Sequence, residues 1–339
     1  SLAGGQVITL QGKGFSETST KVTVCDVECA VVNDVGATYP ATVTKISCKV
    51  PKTKGTAAKL CDVKVQAGYV GSITASPRYT YSLLKTPILT SVSPQIGGTA
   101  GGTVLTINGD QFGTDATDLS IDIGGSTCTI QSVTDTEVKC TTTPHSQSTL
   151  ETVVITSKKH GLALGSVKFN YAFYWSANAT WPNGQLPTKG EFIVVDRGAT
   201  MILDTDTAIL KMLLINGGTL IVSDTKDINL NSENILITDG GLFQIGSETK
   251  PYQHRAVITM YGSARSPELP IYGSKSIGLR KGTLDIHGKS LGTTWTRLEA
   301  TALTGATTIT VAHDVSDWPV NATIVIATTS DRHSQIETE

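Results

Sequence analysis

The stretch GTAGGTVLTINGDQFG at residues 98–113 decides the fold, because the chain opens on a second version of it, SLAGGQVITLQGKGFS at residues 1–16. The Gly-Gly pairs align, Gly4-Gly5 with Gly101-Gly102, and so do the aromatics that follow the strand, Phe15 and Phe112. Between those marks the side chains alternate, Val7, Thr9 and Gln11 against Ile8 and Leu10, the period of two expected of a half-buried strand. Further on, Cys29 matches Cys128 and Cys48 matches Cys140, and a proline follows each second cysteine, Pro51 and Pro144. Each unit closes on an aromatic strand, RYTYSL at 78–83 and VKFNYAF at 167–173. One module is therefore used twice. Its short alternating strands, separated by Gly- and Asn-bearing turns, predict a β-sandwich.

The rest of the composition agrees with an all-β chain. Across 339 residues, enough for two to four domains, Thr, Val, Ile, Gly and Ser dominate, and the net charge is -2. No clustered basic footprint for nucleic acid is expected. No apolar run approaches the roughly 18 residues of a membrane helix. The opening SLAGGQ lacks the basic and apolar regions of a signal peptide, so any membrane anchor is expected outside this segment.

All six cysteines, Cys25, Cys29, Cys48, Cys61, Cys128 and Cys140, fall in the first 140 residues. An even set confined to one region reads as disulfides made in an oxidising compartment. The rival reading, a zinc site, lacks a close histidine or a second short cysteine pair. No metal and no cofactor are expected. Six cysteines allow 15 pairings; the repeat makes Cys29–Cys48 and Cys128–Cys140 the natural pairs and leaves Cys25–Cys61 as an extra bridge. Two sequons, at Asn178 and Asn321, add N-glycosylation acceptors to this extracellular reading.

From Phe173 onward the pattern changes. Short apolar strands recur beside glycines: LLINGGTLIV at 213–222, ILITDGGLFQI at 235–245 and IGLRKGTLDIHG at 277–288. Gly218 and Gly241 are 23 residues apart and Gly282 follows 41 later. Such spacing suits coils of a β-solenoid, with glycines at the corners supplying unusual backbone angles. The longer second interval implies a surface loop or an extra coil across residues 246–276.

These residues carry a family resemblance. Residues 86–173, with SVSP, the Gly-Gly pair, the Gly/Phe turn and the cysteine pair, resemble an IPT/TIG domain, which implies an immunoglobulin-like sandwich. Residues 1–85 resemble the same domain without its leading strand. Residues 174–298, from YWSANATWPNGQLPTKGEF to GTLDIHG and TWTRL, resemble a G-eight domain, and 299–339 look like the start of further β-solenoid. The expected fold is all-β: two immunoglobulin-like (IPT/TIG) β-sandwiches followed by a right-handed parallel β-helix or solenoid-like domain. The order of modules resembles the fibrocystin family of large single-pass receptor-like proteins. That resemblance implies an extracellular structural or recognition segment, at the plasma membrane or a ciliary or stereociliary surface, or on immune cells. Its expected partner is a carbohydrate or protein ligand of the extracellular matrix or cell surface.

Candidate chemistry is thin. The G-eight domain also occurs in cell-surface hyaluronidases, so hyaluronan binding or hydrolysis through the solenoid is an alternative, and homotypic assembly through sandwich sheet edges is another. Glycoside hydrolysis needs two carboxyl groups about 5–9.5 Å apart. Asp285 beside His287, and Asp331 with His333, Glu337 and Glu339, are the acids and histidines that could serve. Trp295 and Arg297 could contact a sugar. Each has a plainer reading: alternate residues of a strand share a face without any catalytic role, and Trp175, Trp181, Trp295 and Trp318 suit a core or a cap. No enzyme is expected.

Overall fold

The computed structural model describes residues 1–15, 20–32, 43–55, 57–67, 71–263, 265–290, 292–327 and 337–338. The first module contains β1 (Val7–Phe15), β2 (Thr20–Val24), β3 (Val27–Val32), β4 (Val43–Lys49), β5 (Lys59–Ala67) and β6 (Ser72–Tyr81). Its strands pair antiparallel in the order β1-β4-β3-β2-β5-β6. The second contains β7 (Ile88–Ser93), β8 (Ile96–Gly98), β9 (Val104–Asp110), β10 (Leu119–Ile123), β11 (Ser126–Val133), β12 (Glu137–Thr142), β13 (Leu150–Ser157), β14 (Gly161–Leu162) and β15 (Val167–Tyr174). Its path β9-β12-β11-β10-β13-β15 repeats the first order strand for strand, with β7 added beside β9 and β8 beside β15. In each module the sheet curls round one core, built on Val22, Val24, Cys48 and Tyr81 in the first and on Leu105, Ile107, Ile123 and Phe169 in the second.

Three disulfides lie within these modules. Cys29–Cys48 and Cys128–Cys140 each join the β3/β4 or β11/β12 pair, at equivalent places, and Cys25–Cys61 ties the β2–β3 turn to β5. The modules also dock on each other through main chain: the Leu162 amide donates to the Gly4 carbonyl at 2.8 Å, and the Ser1 hydroxyl donates to the Leu162 carbonyl at 2.6 Å. The approach is close enough that a Cβ on Gly161, whose φ is +90°, would sit 2.2 Å from the Gly4 carbonyl oxygen.

The second half is a parallel β-helix with three faces. It contains β16 (Phe192–Val195), β17 (Thr200–Leu203), β18 (Met212–Asn216), β19 (Thr219–Val222), β20 (Ile228–Ser232), β21 (Ile235–Thr238), β22 (Leu242–Ile245), β23 (Ala256–Met260), β24 (Ile277–Arg280) and β25 (Thr283–Ile286). One face stacks β16-β18-β21-β24, the second β17-β19-β22-β25 and the third β20-β23, all parallel. Inside, like residues stack coil on coil: Ile193, Leu213 and Ile235 in one column, Val195, Ile215 and Ile237 in the next.

The Gly-Gly corners divide two tasks. Gly217 and Gly240 adopt φ of +69° and +87°, the left-handed region that disfavours other residues. Gly218 and Gly241 are required by contact instead: a Cβ on either would stand 2.4 Å from a main-chain oxygen of the preceding coil. The interval 246–276 holds both of the alternatives read from its length, since β23 within it completes a third-face rung against β20 and its other described residues form turns and isolated bridges. After residue 298 the described residues include an antiparallel bridge between Leu298 and Val311.

Sandwich and β-helix share a strand. Along β15, Phe169 and Tyr171 enter the second sandwich core, while Phe173 and, just past the strand, Trp175 enter the β-helix core. Its last two residues pair in parallel with β17, Phe173 with Met201 and Tyr174 with Ile202. Buried Ser148 locks the seam: its hydroxyl accepts from the Thr200 amide at 2.8 Å and lies 2.8 Å from the Tyr171 carbonyl and 3.1 Å from that of Thr200. Ser148→Ala leaves that amide and one of those carbonyls without its partner, and should cost about 1–3 kcal/mol. Differential scanning calorimetry checks this; an unchanged melting profile would show the seam to be held without Ser148.

Candidate functional site

Two sets of polar groups bear on function among the described residues of the β-helix. The first binds the turns. Asp224 accepts from the Gln253 amide at 2.9 Å, the His254 amide at 3.0 Å and His254 Nδ1 at 2.8 Å. Burial acts to raise its pKa, but these hydrogen bonds outweigh burial and hold the carboxyl below the usual range. Asp206 is also lowered, by the side chain and then the amide of Asn229. Asp227 accepts from the Arg255 amide, and Asp204 from the Ser176 amide and hydroxyl. Each carboxylate pins a turn of the following or preceding coil, so these acids are structural.

The second set faces outward on the last two rungs of the second face. The Gln244–Asp285 register brings side chains 41 residues apart into one column. Gln244 Nε2 donates to Asp285 Oδ2 at 2.8 Å, and His287 Nε2 lies 2.7 Å from Asp285 Oδ1. Asp285 and His287 are thus brought together, as strand alternation requires, but both carboxylate oxygens are already engaged. The His287 ring is 40% exposed, so solvent screens the pair. Nothing in the sequence near Asp285 signals Gln244; only the coil register does.

The other candidates stand apart. Asp331 and His333 lie outside the described residues, as does Glu339; of Glu337 only the backbone is described. Trp175 is buried and Trp181 packs edge-on against it with ring centres 5.0 Å apart, closing the start of the β-helix. Trp318 is half-buried, Arg297 is exposed, and Trp295 is 65% exposed beside His313. Asn178 and Asn321 are exposed, each in a short turn. Among the described residues no group of three or more His, Cys, Asp or Glu could hold a metal ion, and no helix is long and apolar enough to cross a membrane.

With this geometry in place, comparison with known proteins is direct. An IPT/TIG domain model matches residues 1–81 and 87–171, and a G8 domain model matches residues 180–299. Fibrocystin-L of Mus musculus is 44% identical over 341 residues, and fibrocystin-L of Homo sapiens 42%, both across 100% of this chain. Fibrocystin of Canis lupus familiaris is 30% identical across 96% of it. The chain belongs to the fibrocystin family. It spans 8% of the length of each of these relatives. Among solved structures, the plexin A4 extracellular region is 20% identical over 50% of this chain and 14% of that one, at a TM-score of 0.33.

The two sets of acids differ in what they hold. Asp224→Ala should destabilise by about 1–3 kcal/mol, because it strips three N–H donors of their acceptor. Asp285→Asn and His287→Ala should stay within about 0.5 kcal/mol, as exposed pairs do. Chemical denaturation of the three variants measures this, and equal losses would contradict the division.

Proposed function

We propose that this fibrocystin-family chain is a stiff structural and recognition segment of the extracellular region of a large single-pass receptor-like protein. Within the family the fibrocystin-L branch is the reading favoured by the higher identity to fibrocystin-L of Mus musculus and Homo sapiens than to fibrocystin of Canis lupus familiaris. Attachment to the membrane is by an anchor elsewhere in the parent protein, and the surface served is that of a cilium, a stereocilium coat or an immune cell. The observation that carries the structural role is β15, which runs from one core into the next and leaves no linker between sandwich and β-helix. Two domains that share a strand move as one body, unlike domains joined by a flexible tether.

Catalysis is not part of this reading, because Asp285 is satisfied by Gln244 and His287 and its carboxylate is not left available to attack or protonate a glycosidic bond. The exposed sequon residues Asn178 and Asn321 are the proposed N-glycan attachment points.

One preparation tests the reading. Expressed through a secretory pathway, the chain should carry glycans on Asn178 and Asn321 by peptide mass spectrometry. Small-angle scattering should fit one conformation for residues 87–290, and hyaluronan incubated with the chain should keep its length. A hinged ensemble would remove the stiff-segment role; shortened hyaluronan would replace it with an enzymatic one.

A further inference from the structure

The first sandwich holds a cleft of about 660 Å³ between the β2–β3 turn and the segment that connects β4 to β5. Both walls are held in place. The turn residues Cys25 and Asp26 have φ of +53° and +63°, the left-handed pair of a two-residue hairpin, and the Cys25–Cys61 disulfide fastens that turn to β5. On the other side, the Tyr81 hydroxyl donates to the Pro51 carbonyl at 2.7 Å, and the Thr53 amide donates to the Leu2 carbonyl at 3.1 Å. Buried Val24 and Tyr81 form the floor.

The charge in this cleft opposes that of the chain. Lys52, Lys54 and Lys59 line it, all exposed and without an ion pair among the described residues. Asp26, the acid in the lining, is held by Lys64 from outside the cleft at 2.6 Å and interacts only more weakly, through charge alone, with Lys59. The whole chain nevertheless carries -2. The second sandwich shows that the lysines are not demanded by the module. Its corresponding segment from Pro144 to Leu150 reads PHSQSTL and has no lysine or arginine, and Gly124-Gly125 replaces the bridged turn.

We propose that this cleft binds a sulfated glycosaminoglycan chain. A volume of this size admits a short oligosaccharide. Lysines present compact point charges, whereas arginine supplies the planar fork matched to carboxylate and phosphate. Three lysines in one cleft set separated positive charges side by side, the complement of permanently ionised sulfate esters spaced along a polymer. The site is separate from the outward rungs of the β-helix, and its failure would leave the stiff-segment reading untouched.

The test is binding of the intact, disulfide-bonded chain to heparin-derived oligosaccharides by isothermal titration calorimetry. Binding should weaken with added salt. Lys52→Gln, Lys54→Gln and Lys59→Gln combined should lose at least about tenfold in affinity, equivalent to about 1.4 kcal/mol. The charge-matched control, Lys168→Gln with Lys189→Gln and Lys226→Gln, should change it less than about twofold. Asp26→Asn removes the acid from the lining and frees Lys64, so it should bind more tightly, a gain that misfolding does not produce. The proposal is overturned if the cleft and control variants bind alike. It is also overturned if polyglutamate or unsulfated hyaluronan binds as tightly as the sulfated chain, the former result pointing to an acidic protein partner instead.

Discussion

The constraint on which the molecule depends is the continuity of one strand. One face of β15, continued by Trp175 just past it, is aromatic, and its successive residues belong to different domains: Phe169 and Tyr171 to the sandwich, Phe173 and Trp175 to the β-helix. A strand is straight on the scale of a few residues and its alternation cannot be broken without a bulge. The direction of the sandwich therefore sets the direction of the first coil, and the parallel pairing with β17 transmits it to every coil after. Buried Ser148 satisfies the polar main chain where the two cores meet, as buried main-chain groups require.

The two kinds of domain hold themselves together differently. A module of about 85 residues has little core to bury, and here each sandwich carries at least one disulfide across neighbouring strands. A cross-link of that kind contributes about 2–4 kcal/mol. The β-helix contains no cysteine. It stabilises itself by stacking, each coil covering the apolar column of the last, and by carboxylates such as Asp224 that hold successive turns in register. One half is stapled and the other is laminated, and the shared strand makes them one object.

Much of this was legible from the chain alone because the signals are local or repeated. Strand alternation around Val104–Asp110, the matched Gly-Gly pairs and the rungs LLINGGTLIV and ILITDGGLFQI each span few residues. Their spacing carries the fold class through geometry that depends only on neighbours in sequence. The rung at Ala256–Met260 was harder to read, since its coil is interrupted by turns whose polar composition resembles a surface loop. The Gly-Gly corners were legible as corners, but not that Gly218 and Gly241 are there to admit a neighbouring backbone.

The candidate sites divide in the same way. That Asp285 and His287 share a face follows from a separation of two residues. That Gln244 occupies the other oxygen of Asp285 depends on which coil stacks on which. The lysines at 52, 54 and 59 are visible in the sequence, but become a cleft only when the Cys25–Asp26 turn is folded over against them. By itself, then, the sequence determined the all-β class, the repeated module and the coiled second half, because periodicity and turn chemistry act over short range. Tertiary structure decided the seam at β15, the engagement of Asp285 and the gathering of charge in the first sandwich. Those depend on register between strands far apart in the chain, and register is settled by burial of the assembled core.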